Sequence, residues 1–364
     1  MADRKRIAIN TGGGDAPGLN AVIRAAVLSA GRRGWDVIGI CRGYEGLLDT
    51  HETKLLDHDS VRGLAHLGGT ILGTSNRGSP FEYPVSLGNG RIEIVDRSDE
   101  VVANFRQLGL HALIAIGGDG SMEIAHKLSL KGLPVVGVPK TIDNDLEGTV
   151  VTFGFDTAVS VATEAIGRLH STAEAHERVF TIEVMGRYAG WIALFAGLAG
   201  GADVILMPEI PYRMDVVCEK IMRRQSRGRR FSLVVVAEGA RPVGGEMTTR
   251  GDKEQGREVQ LGGVAEQVAR EIHEHTGKET RFVVLGHLQR GGSPSSYDRI
   301  LAQRFGAAAV RVIAAGKRSV MVALDPPIVR TVPLADATRR MKTVPLDGDV
   351  VSTARETGIS LGDE

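Results

Sequence analysis

Short apolar runs alternate along the chain with segments whose apolar residues recur every three or four positions, and these patterns predict strands and helices respectively. The predicted strands are residues 6–10, 35–40, 111–118, 133–140, 178–185, 202–208, 231–239 and 280–287. The predicted helices are residues 17–33, 121–131, 155–176, 261–275 and 297–315, with a short small-residue helix between 185 and 202. The runs at 231–239 and 280–287 are typical of parallel strands buried on both faces. This alternation predicts an α/β fold with mostly parallel sheets.

Composition narrows the possible functions. The 44 basic and 44 acidic residues cancel, which argues against a chain-wide nucleic-acid binder. The two cysteines, Cys41 and Cys218, rule out a disulfide scaffold and a four-cysteine zinc site. The longest uncharged apolar run, between Arg187 and Asp203, is too short and too rich in glycine to span a bilayer. We therefore expect a cytoplasmic protein of two domains with no nucleic-acid or membrane partner.

Glycine is unusually frequent, and the 47 glycines cluster at the ends of apolar runs, at 12–14, 68–69, 117–120, 200–201 and 291–292. Glycine at a strand end lets the backbone approach a ligand closely, often a phosphate. The segment NTGGGDAPGLN (10–20) follows a strand and opens a helix. The N–H groups of Gly12, Gly13 and Gly14, together with the helix N-terminus, therefore predict an anion site. The alternative is a tight strand-to-helix turn that binds nothing.

The segment AIGGDGSMEIA (115–125) repeats this order of strand, glycines and helix. Two such turns in one sheet suit a polyphosphate ligand. Asp119 lies between glycines at a positive helix end, where a carboxylate can hold a Mg²⁺ ion that bridges phosphates. The alternative is that Asp119 only caps the helix, which leaves the flanking glycines unexplained.

The segment VPKTIDNDLEGT (138–149) brings carboxylates to the end of a strand, with Asp143 and Asp145 beside Lys140. In open α/β folds, ligands bind at the carboxyl edge of the sheet. Two carboxylates and a lysine there fit one base, one metal-associated acid and one cation. The alternative is a solvated turn, since Asn and Asp are ordinary turn formers.

Basic side chains also lie near glycines at predicted strand ends, namely Arg178, Arg187, Arg281, His287 and Arg290. Arginine suits bidentate binding of phosphate. For each arginine alone, the alternative is a surface salt bridge. As a set near strand ends, they predict a site for a sugar phosphate.

Together, the motifs GGGDAPGLN, GGTILGTSNRG, GGDGS, PKTIDND, EVMGRYAGW, VVVAEGA and LGHLQRGGSP resemble those of the 6-phosphofructokinases, in the family's order over roughly residues 5–315. The resemblance implies two Rossmann-like three-layer domains with the active site in the cleft between them. It implies a nucleotide-binding domain (1–154 plus about 288–340), a sugar-phosphate-binding domain (155–287) and a C-terminal extension (about 341–364). It also implies Mg²⁺-assisted phosphoryl transfer from ATP to the 1-hydroxyl of fructose 6-phosphate, in a homotetramer or dimer with shared active sites.

The resemblance assigns roles to individual residues. The implied catalytic residues are Asp143 (the base), Thr141, Gly120, Lys140 and Arg77. The implied nucleotide contacts are Gly13, Tyr44, Arg77, Gly118, Asp119, Gly120 and Ser121, with Asp119 as the Mg²⁺ ligand. The implied sugar-phosphate contacts are Thr141, Ile142, Asp143, Met185, Gly186, Arg187, Glu238, His287, Leu288, Gln289 and Arg290, with Arg178 and Arg281 contributed by a neighbouring subunit.

Two positions point to different phosphoryl donors. Gly120 resembles the ATP users, because pyrophosphate users carry an aspartate there that would repel the α-phosphate, whereas Lys140 resembles the pyrophosphate users. We favour ATP, because Gly120 decides whether ATP fits and Lys140 is compatible with either donor. The alternatives are a pyrophosphate-dependent phosphotransferase and a non-catalytic sugar-phosphate-binding homologue, which would have lost Asp119 or Asp143. A NAD or lipid kinase should lack PKTIDND, and a Rossmann dehydrogenase needs a glycine spacing that this chain lacks.

Regulation is the last expectation from the resemblance. Many bacterial relatives bind an anionic effector between subunits through arginines, and the residues here that fit this pattern are Arg24, Arg227, Arg229 and Arg230. Leu28 and His170 stand where those relatives have arginine. We therefore expect a weakened or altered effector response.

Overall fold

The computed structural model describes residues 4–75, 79–88, 91–249 and 261–364. Contacts divide the chain into unit 1, which contains Met1–Asp156 and Arg290–Met341, and unit 2, which contains Thr157–Gln289 and Lys342–Glu364. Both units are therefore discontinuous in sequence. The expected separate C-terminal extension is not found, because its residues belong to unit 2.

The elements follow each other in the α/β order that the sequence predicts. The strands are β1 Arg6–Thr11, β2 Asp36–Ile40, β3 Thr53–Leu56, β4 Tyr83–Gly88, β5 Arg91–Val95, β6 Leu110–Gly117, β7 Val135–Thr141, β8 Phe153–Gly154, β9 Val179–Val184, β10 Val204–Leu206, β11 Ser232–Ala237, β12 Thr280–Val284, β13 Val320–Asp325 and β14 Ile328–Pro333. The helices are α1 Leu19–Gly31, α2 Glu45–Leu48, α3 Ser98–Gln107, α4 Asp119–Leu130, α5 Phe155–His176, α6 Trp191–Ala199, α7 Met214–Ser226, α8 Val264–Thr276, α9 Ser296–Ala314, α10 Leu334–Ala337 and α11 Asp349–Glu356.

The sheet of unit 1 has the order β14-β13-β7-β6-β1-β2-β3, and β8 pairs with β7. The central strands β2, β1, β6, β7 and β13 run parallel to one another. The edge strands β3 and β14 are antiparallel to their neighbours. The carboxyl ends of β1, β6 and β7 therefore meet at one edge, where the sequence places its two glycine turns and its carboxylates.

Helices cover both faces of this sheet because successive strand residues point to opposite sides. Ala8, Leu113 and Val135 share one core cluster with side chains of α3 and α4, such as Phe105 and Met122. On the other face, α1 packs against α9, and these helices contact β2 and β7. This three-layer arrangement confirms the predicted α/β class.

Unit 2 has a four-stranded parallel sheet in the order β10-β11-β9-β12. Val204 and Val234 pack in one cluster with apolar side chains of α7 and α8, while α6 contacts β10 and β11. The prediction that the run at 280–287 is buried on both faces is wrong, because β12 is an edge strand on which Phe282 is 44% and Val284 is 36% exposed. Among the described residues, no helix is both long enough and apolar enough to cross a bilayer.

The C-terminal segment extends the sheet of unit 2. Ile205 donates its N–H to the carbonyl of Ser360 at 2.9 Å, and Ser360 donates to the carbonyl of Asp203 at 3.1 Å. The side-chain N–H of Trp191 donates to the carbonyl of Lys342 at 3.2 Å. The two backbone bonds pair the C-terminal segment with the edge of the sheet at β10. The Trp191 bond joins the start of this segment to α6.

Candidate active site

The first glycine turn, Gly12 to Gly14, is held mainly by the protein itself. Gly12 donates its N–H to Ile116 O at 2.8 Å, and Gly13 donates to Ser75 O at 3.2 Å. Helix α1 begins only at Leu19. The prediction that all three glycine amides and this helix N-terminus form one anion site is therefore wrong, because two of the three donors are already used. Gly13 (φ 73°) adopts the left-handed conformation, which glycine tolerates without strain.

The second turn leads directly into a helix. Gly118 is the N-cap of α4, which begins at Asp119, and no side chain caps it. The amides of Asp119, Gly120 and Ser121 are first-turn donors without acceptors inside the helix, so they form an anion-binding end. Because Asp119 is the first helical residue, the alternative that it is the N-cap is wrong.

Glycine is required where the two turns approach each other. A Cβ on Gly12 would lie 2.7 Å from Ser121 Oγ, and a Cβ on Gly117 would lie 2.2 Å from Ser121 Cβ. A Cβ on Gly120 would meet nothing within 4 Å. The two turns are therefore closely packed around Ser121, whereas the space next to Gly120 is open.

The carboxylate loop begins where β7 ends. Asp143 donates its N–H to Thr141 Oγ1 at 3.1 Å, and Thr152 donates its hydroxyl to Thr141 O at 2.7 Å. Asn144, which is 3% exposed, has a φ of 52° and accepts the N–H of Thr152 at 3.1 Å. A loop that is buried and tied in this way is not the solvated turn of the alternative reading.

The loop lies beside the second turn, and its charges interact. A Cβ on Gly118 would lie 3.4 Å from Lys140 O. Burial, then the charges of Asp143 and Asp119, raise the pKa of Asp145 to about 7. Asp145 Oδ1 is buried and has no hydrogen-bond partner among the described residues. Three carboxylates thus share one small region, and one of them holds an oxygen for which the described protein offers no donor.

Lys140 interacts with these carboxylates, and Arg290 lies beside Lys140. Lys140 is 3% exposed and donates its ammonium to the carbonyl of Gly14. Burial, then the neighbouring Arg290, lower the pKa of Lys140 to about 8, although Asp145, Asp143 and Asp15 oppose the shift. Arg290 Nη1 donates to Asp15 O at 3.1 Å. Both cations therefore border the first turn.

One expected nucleotide contact, Tyr44, is buried. Tyr44 is 5% exposed, and its ring belongs to a core cluster with Leu47 and Val101. Burial raises the pKa of its hydroxyl. The tyrosine side chain thus packs inside unit 1 instead of lining an open nucleotide site. Arg77 lies outside the residues that the structure describes.

In unit 2, the loops after β9 and β11 lie against each other. Glu238 donates its N–H to Val184 O at 2.9 Å, and Gly239 donates to Gly186 O at 3.1 Å. A Cβ on Gly239 would lie 1.8 Å from Arg187 O, so only glycine fits. This packing brings together Met185, Gly186, Arg187 and Glu238, four of the expected sugar contacts.

Gln289 is a correction to the sequence assignment. Its side chain is fully buried and accepts the N–H of Met185 at 3.3 Å, while its amide donates to Gly286 O at 3.1 Å. A side chain without accessible surface holds the Met185 loop and does not touch a sugar. Leu288 next to it is 70% exposed and His287 is also exposed, whereas Ile142 is fully buried.

The two arginines expected to act in a neighbouring subunit share one partner here. Arg178 Nη2 lies 2.9 Å from Glu279 Oε1, and Arg281 pairs with the same carboxylate. The side chain of Arg281 is 52% exposed on β12. Within one chain, these two therefore form the salt bridge that the alternative predicts.

The described residues offer no metal site built from three or more protein side chains. Within the described ranges, no three His, Cys, Asp or Glu side chains are grouped so that they could hold a metal ion. Mg²⁺, however, is usually bound by one or two carboxylates together with substrate phosphates. The exposed Asp119 and the unpartnered Asp145 oxygen fit that mode.

Sequence reasoning missed Thr74 and Ser75, which hold both sides of Gly13. Thr74 donates its hydroxyl to Gly13 O, and Ser75 accepts the N–H of Gly13. Their position in the segment GGTILGTSNRG was the available signal.

Comparison with known proteins gives a consistent result. Residues 6–313 match the family model described as Phosphofructokinase. A protein of Chloroflexus aurantiacus named ATP-dependent 6-phosphofructokinase is 53% identical over 369 residues, covering 100% of both chains. The pyrophosphate–fructose 6-phosphate 1-phosphotransferase of Amycolatopsis methanolica is 50% identical over 342 residues, covering 93% of this chain and 96% of its own. Overall identity thus does not separate the two donors.

Solved structures show the same fold. The Pichia pastoris phosphofructokinase in the T-state aligns with a TM-score of 0.82 and 31% identity over 98% of this chain. This chain spans only 37% of that larger chain. The pyrophosphate-dependent phosphofructokinase of Marinobacter aquaeolei aligns with a TM-score of 0.79 and 25% identity, covering 98% of this chain and 88% of its own.

Proposed function

Because the chain belongs to the phosphofructokinase family, we propose that it transfers the γ-phosphoryl group of ATP to the 1-hydroxyl of fructose 6-phosphate, giving fructose 1,6-bisphosphate and ADP. The observation that carries the proposal is one edge of the unit 1 sheet. There, the uncapped N-terminus of α4 lies beside the loop that bears Asp143 and Asp145. Phosphoryl transfer requires mainly this combination of positioning and charge neutralisation.

The residues divide the work of the reaction. Asp143 accepts the proton of the 1-hydroxyl while that oxygen attacks the γ-phosphorus, and the bond to the β–γ bridging oxygen breaks as ADP leaves. The α4 amides hold the phosphates, and Thr141 fixes the Asp143 loop through its hydroxyl. Lys140 supplies positive charge near the transferring group, and Arg290 contacts the sugar phosphate.

Mg²⁺ is the proposed metal. Asp119, with Asp145 beside it, would hold the ion, which when bound neutralises phosphate charge. The unpartnered buried oxygen of Asp145 supports this assignment.

Pyrophosphate is the second candidate donor. Lys140 and the 50% identity to the Amycolatopsis enzyme favour it. The open space at Gly120 favours ATP, since an α-phosphate can occupy it, and Lys140 is already engaged with the carbonyl of Gly14. A non-catalytic homologue is the least supported candidate, because Asp119 and Asp143 are both present.

We propose that the unit 2 loops with Arg187, Glu238 and His287 bind the sugar phosphate. Arg178 and Arg281 are proposed to act across a subunit contact in a homotetramer or dimer with shared active sites. The exposed apolar residues on and after edge strand β12, Phe282, Val284 and Leu288, support self-association there. A cytoplasmic location and a glycolytic role follow as part of the same proposal.

A weakened effector response completes the proposal. His170 Nε2 is hydrogen-bonded to Gly200 O at 2.7 Å, and Arg230 pairs with Glu177 at 2.8 Å. Because these side chains already have partners within the chain, we expect them to bind an anionic effector more weakly. Strong, ordinary effects of phosphoenolpyruvate and ADP in a kinetic titration would contradict this.

One assay tests the reaction. Purified protein with fructose 6-phosphate and Mg²⁺ should give fructose 1,6-bisphosphate faster with ATP than with pyrophosphate. Asp143→Ser should lower kcat by at least about 100-fold, since a general base contributes that much, and should leave the KM for the sugar nearly unchanged. The control is Asp59→Ser, which removes an exposed aspartate. Normal turnover by Asp143→Ser would refute the assignment of the base.

A further inference from the structure

A line of paired side chains runs from the surface of unit 1 towards its first glycine turn. Arg42 Nη2 lies 3.3 Å from Glu52 Oε1, and Arg42 Nε lies 3.2 Å from Glu45 Oε2. Ser75 donates its hydroxyl to the other oxygen, Glu45 Oε1, at 3.2 Å. Glu45 is the more buried of the two acids, with its side chain 27% exposed against 38% for Glu52. Each oxygen of the Glu45 carboxylate thus has its own partner.

This line continues into the backbone of the turn. Ser75 accepts the N–H of Gly13 at 3.2 Å, and the neighbouring Thr74 donates its hydroxyl to the carbonyl of Gly13. The peptide groups on both sides of Gly13 are therefore held by the segment that Glu45 anchors.

The backbone of Arg42 points to a functional constraint. Its φ of 53° is left-handed, a conformation that side chains other than glycine rarely adopt. Its N–H donates to Leu72 O at 2.9 Å, so Arg42 is bound to the 72–75 segment through its backbone as well as through Glu45. Disfavoured backbone conformations persist where the surrounding structure imposes them, and they concentrate at functional sites.

We propose that Glu45 is a positioning residue for the donor-phosphate side of the active site, and that Arg42 neutralises its charge. The inference rests on the proposed function and deepens it. An unpaired carboxylate this close to the turn would repel a polyphosphate, whereas the Arg42 guanidinium cancels that charge and leaves the geometry intact. Glu45 reaches the turn through the Ser75 hydroxyl, so its removal should affect the nucleotide and spare the sugar.

Kinetics separate this role from a merely structural one. Glu45→Ala should raise the KM for MgATP about tenfold, the value of one charged hydrogen bond, and should leave the KM for fructose 6-phosphate within about twofold. Glu45→Gln should retain most of the wild-type affinity, because the amide oxygen still accepts the Ser75 hydroxyl. The control is Glu164→Ala, which breaks an exposed salt bridge to Arg168 in unit 2. Equal increases in both KM values would overturn the inference.

Calorimetric titration with MgATP measures the same effect without turnover. Arg42→Met alone should weaken binding, and adding Glu45→Gln to it should recover the affinity, because the repelling charge is then gone. Equal affinities of wild type and Glu45→Ala, no recovery in the double variant, or no binding of MgATP to the wild type would each overturn the inference. If the wild type binds MgATP without phosphorylating fructose 6-phosphate, the proposed function is refuted. The MgATP affinities of the wild type and the Glu45 variants would still test the role of Glu45.

Discussion

The two glycine turns of unit 1 look alike in sequence and differ in structure. In the first turn, Gly12 and Gly13 donate their amides to carbonyls of the protein, and α1 begins at Leu19, several residues later. In the second turn, α4 begins at Asp119 directly after Gly118, with no side-chain cap. Glycine content alone therefore does not identify a phosphate site. What matters is whether the amides remain available after the protein has made its own hydrogen bonds.

The difference suggests a division of labour. Under the proposed function, the second turn would offer helix amides and a carboxylate to the donor phosphates and Mg²⁺. The first turn contributes the carbonyls of Gly14 and Asp15, which hold Lys140 and Arg290 in place. Under the proposed function, the second turn binds the donor phosphates directly, and the first turn positions the groups around them.

The sharpest test of these separate roles replaces the aspartate of each turn by asparagine, one at a time. Asp119→Asn should lower kcat at least about 100-fold, because it removes the carboxylate that would hold the metal ion. Asp15→Asn should cost less than about tenfold, since its carbonyl, which holds Arg290, is unchanged. Steady-state kinetics at saturating Mg²⁺ measure both. Equal losses would mean that the two turns share one role.

A charge placed in the second turn tests the donor. Gly120→Asp fits the open space and should reduce kcat/KM for ATP by about 10- to 100-fold, because its carboxylate repels the α-phosphate. Pyrophosphate, which has no third phosphate to place there, should be affected less. Rates with each donor, compared with those of Gly120→Ala as the neutral control, show whether the α-phosphate of ATP lies next to Gly120. An unchanged rate with ATP would show that the nucleotide lies elsewhere.

Stability distinguishes the packed and the open glycines of the second turn. Gly117→Ala should destabilise the fold by about 1–3 kcal/mol, because its methyl group collides with Ser121. Gly120→Ala should change the free energy of unfolding by less than about 1 kcal/mol. Urea denaturation of the metal-free proteins measures both values. If both substitutions were tolerated equally, Ser121 would not pack as described.

The smallest effect concerns Lys140 and pH. Its pKa falls to about 8 in the folded protein, against 10.5 as the ordinary value. Between these values the unfolded chain binds more protons, so this group makes the free energy of unfolding rise with pH, by about 1 kcal/mol between pH 8 and pH 9. Lys140→Met should remove that rise, whereas Lys127→Met, which changes an exposed lysine, should keep it. An identical pH profile for wild type and Lys140→Met would contradict the burial of the ammonium.

Much of the fold could be predicted from the sequence, because periodicity reports burial. The strand at 6–10 and the helix at 155–176 agree with β1 and α5 to within one residue. The edge position of β12 could not be predicted, since Phe-Val-Val looks the same whether a neighbouring strand or another subunit covers it. The hairpin of β13 and β14 was missed, because its proline-rich turn and mixed polarity resemble an irregular extension.

The site was predictable as a set of residues and less so as a set of roles. Asp143, Asp119 and Lys140 do meet at one sheet edge, because their motifs follow adjacent parallel strands. Gln289, in the motif LGHLQRGGSP, and Tyr44, in the segment RGYEG, were expected to touch ligands, but both are buried and serve the packing. Sequence cannot distinguish a polar group that faces a ligand from one that supports the loop behind it, since only the folded structure shows which hydrogen bonds are already made.

A crystal structure of the protein with Mg²⁺, a non-hydrolysable ATP analogue and fructose 6-phosphate tests the central claim most directly. The account predicts that the amides of Asp119, Gly120 and Ser121 contact phosphate oxygens and that an Asp143 carboxylate oxygen lies about 3 Å from the 1-hydroxyl of the sugar. Phosphates seated away from the start of α4, or an Asp143 carboxylate pointing away from that hydroxyl, would contradict it.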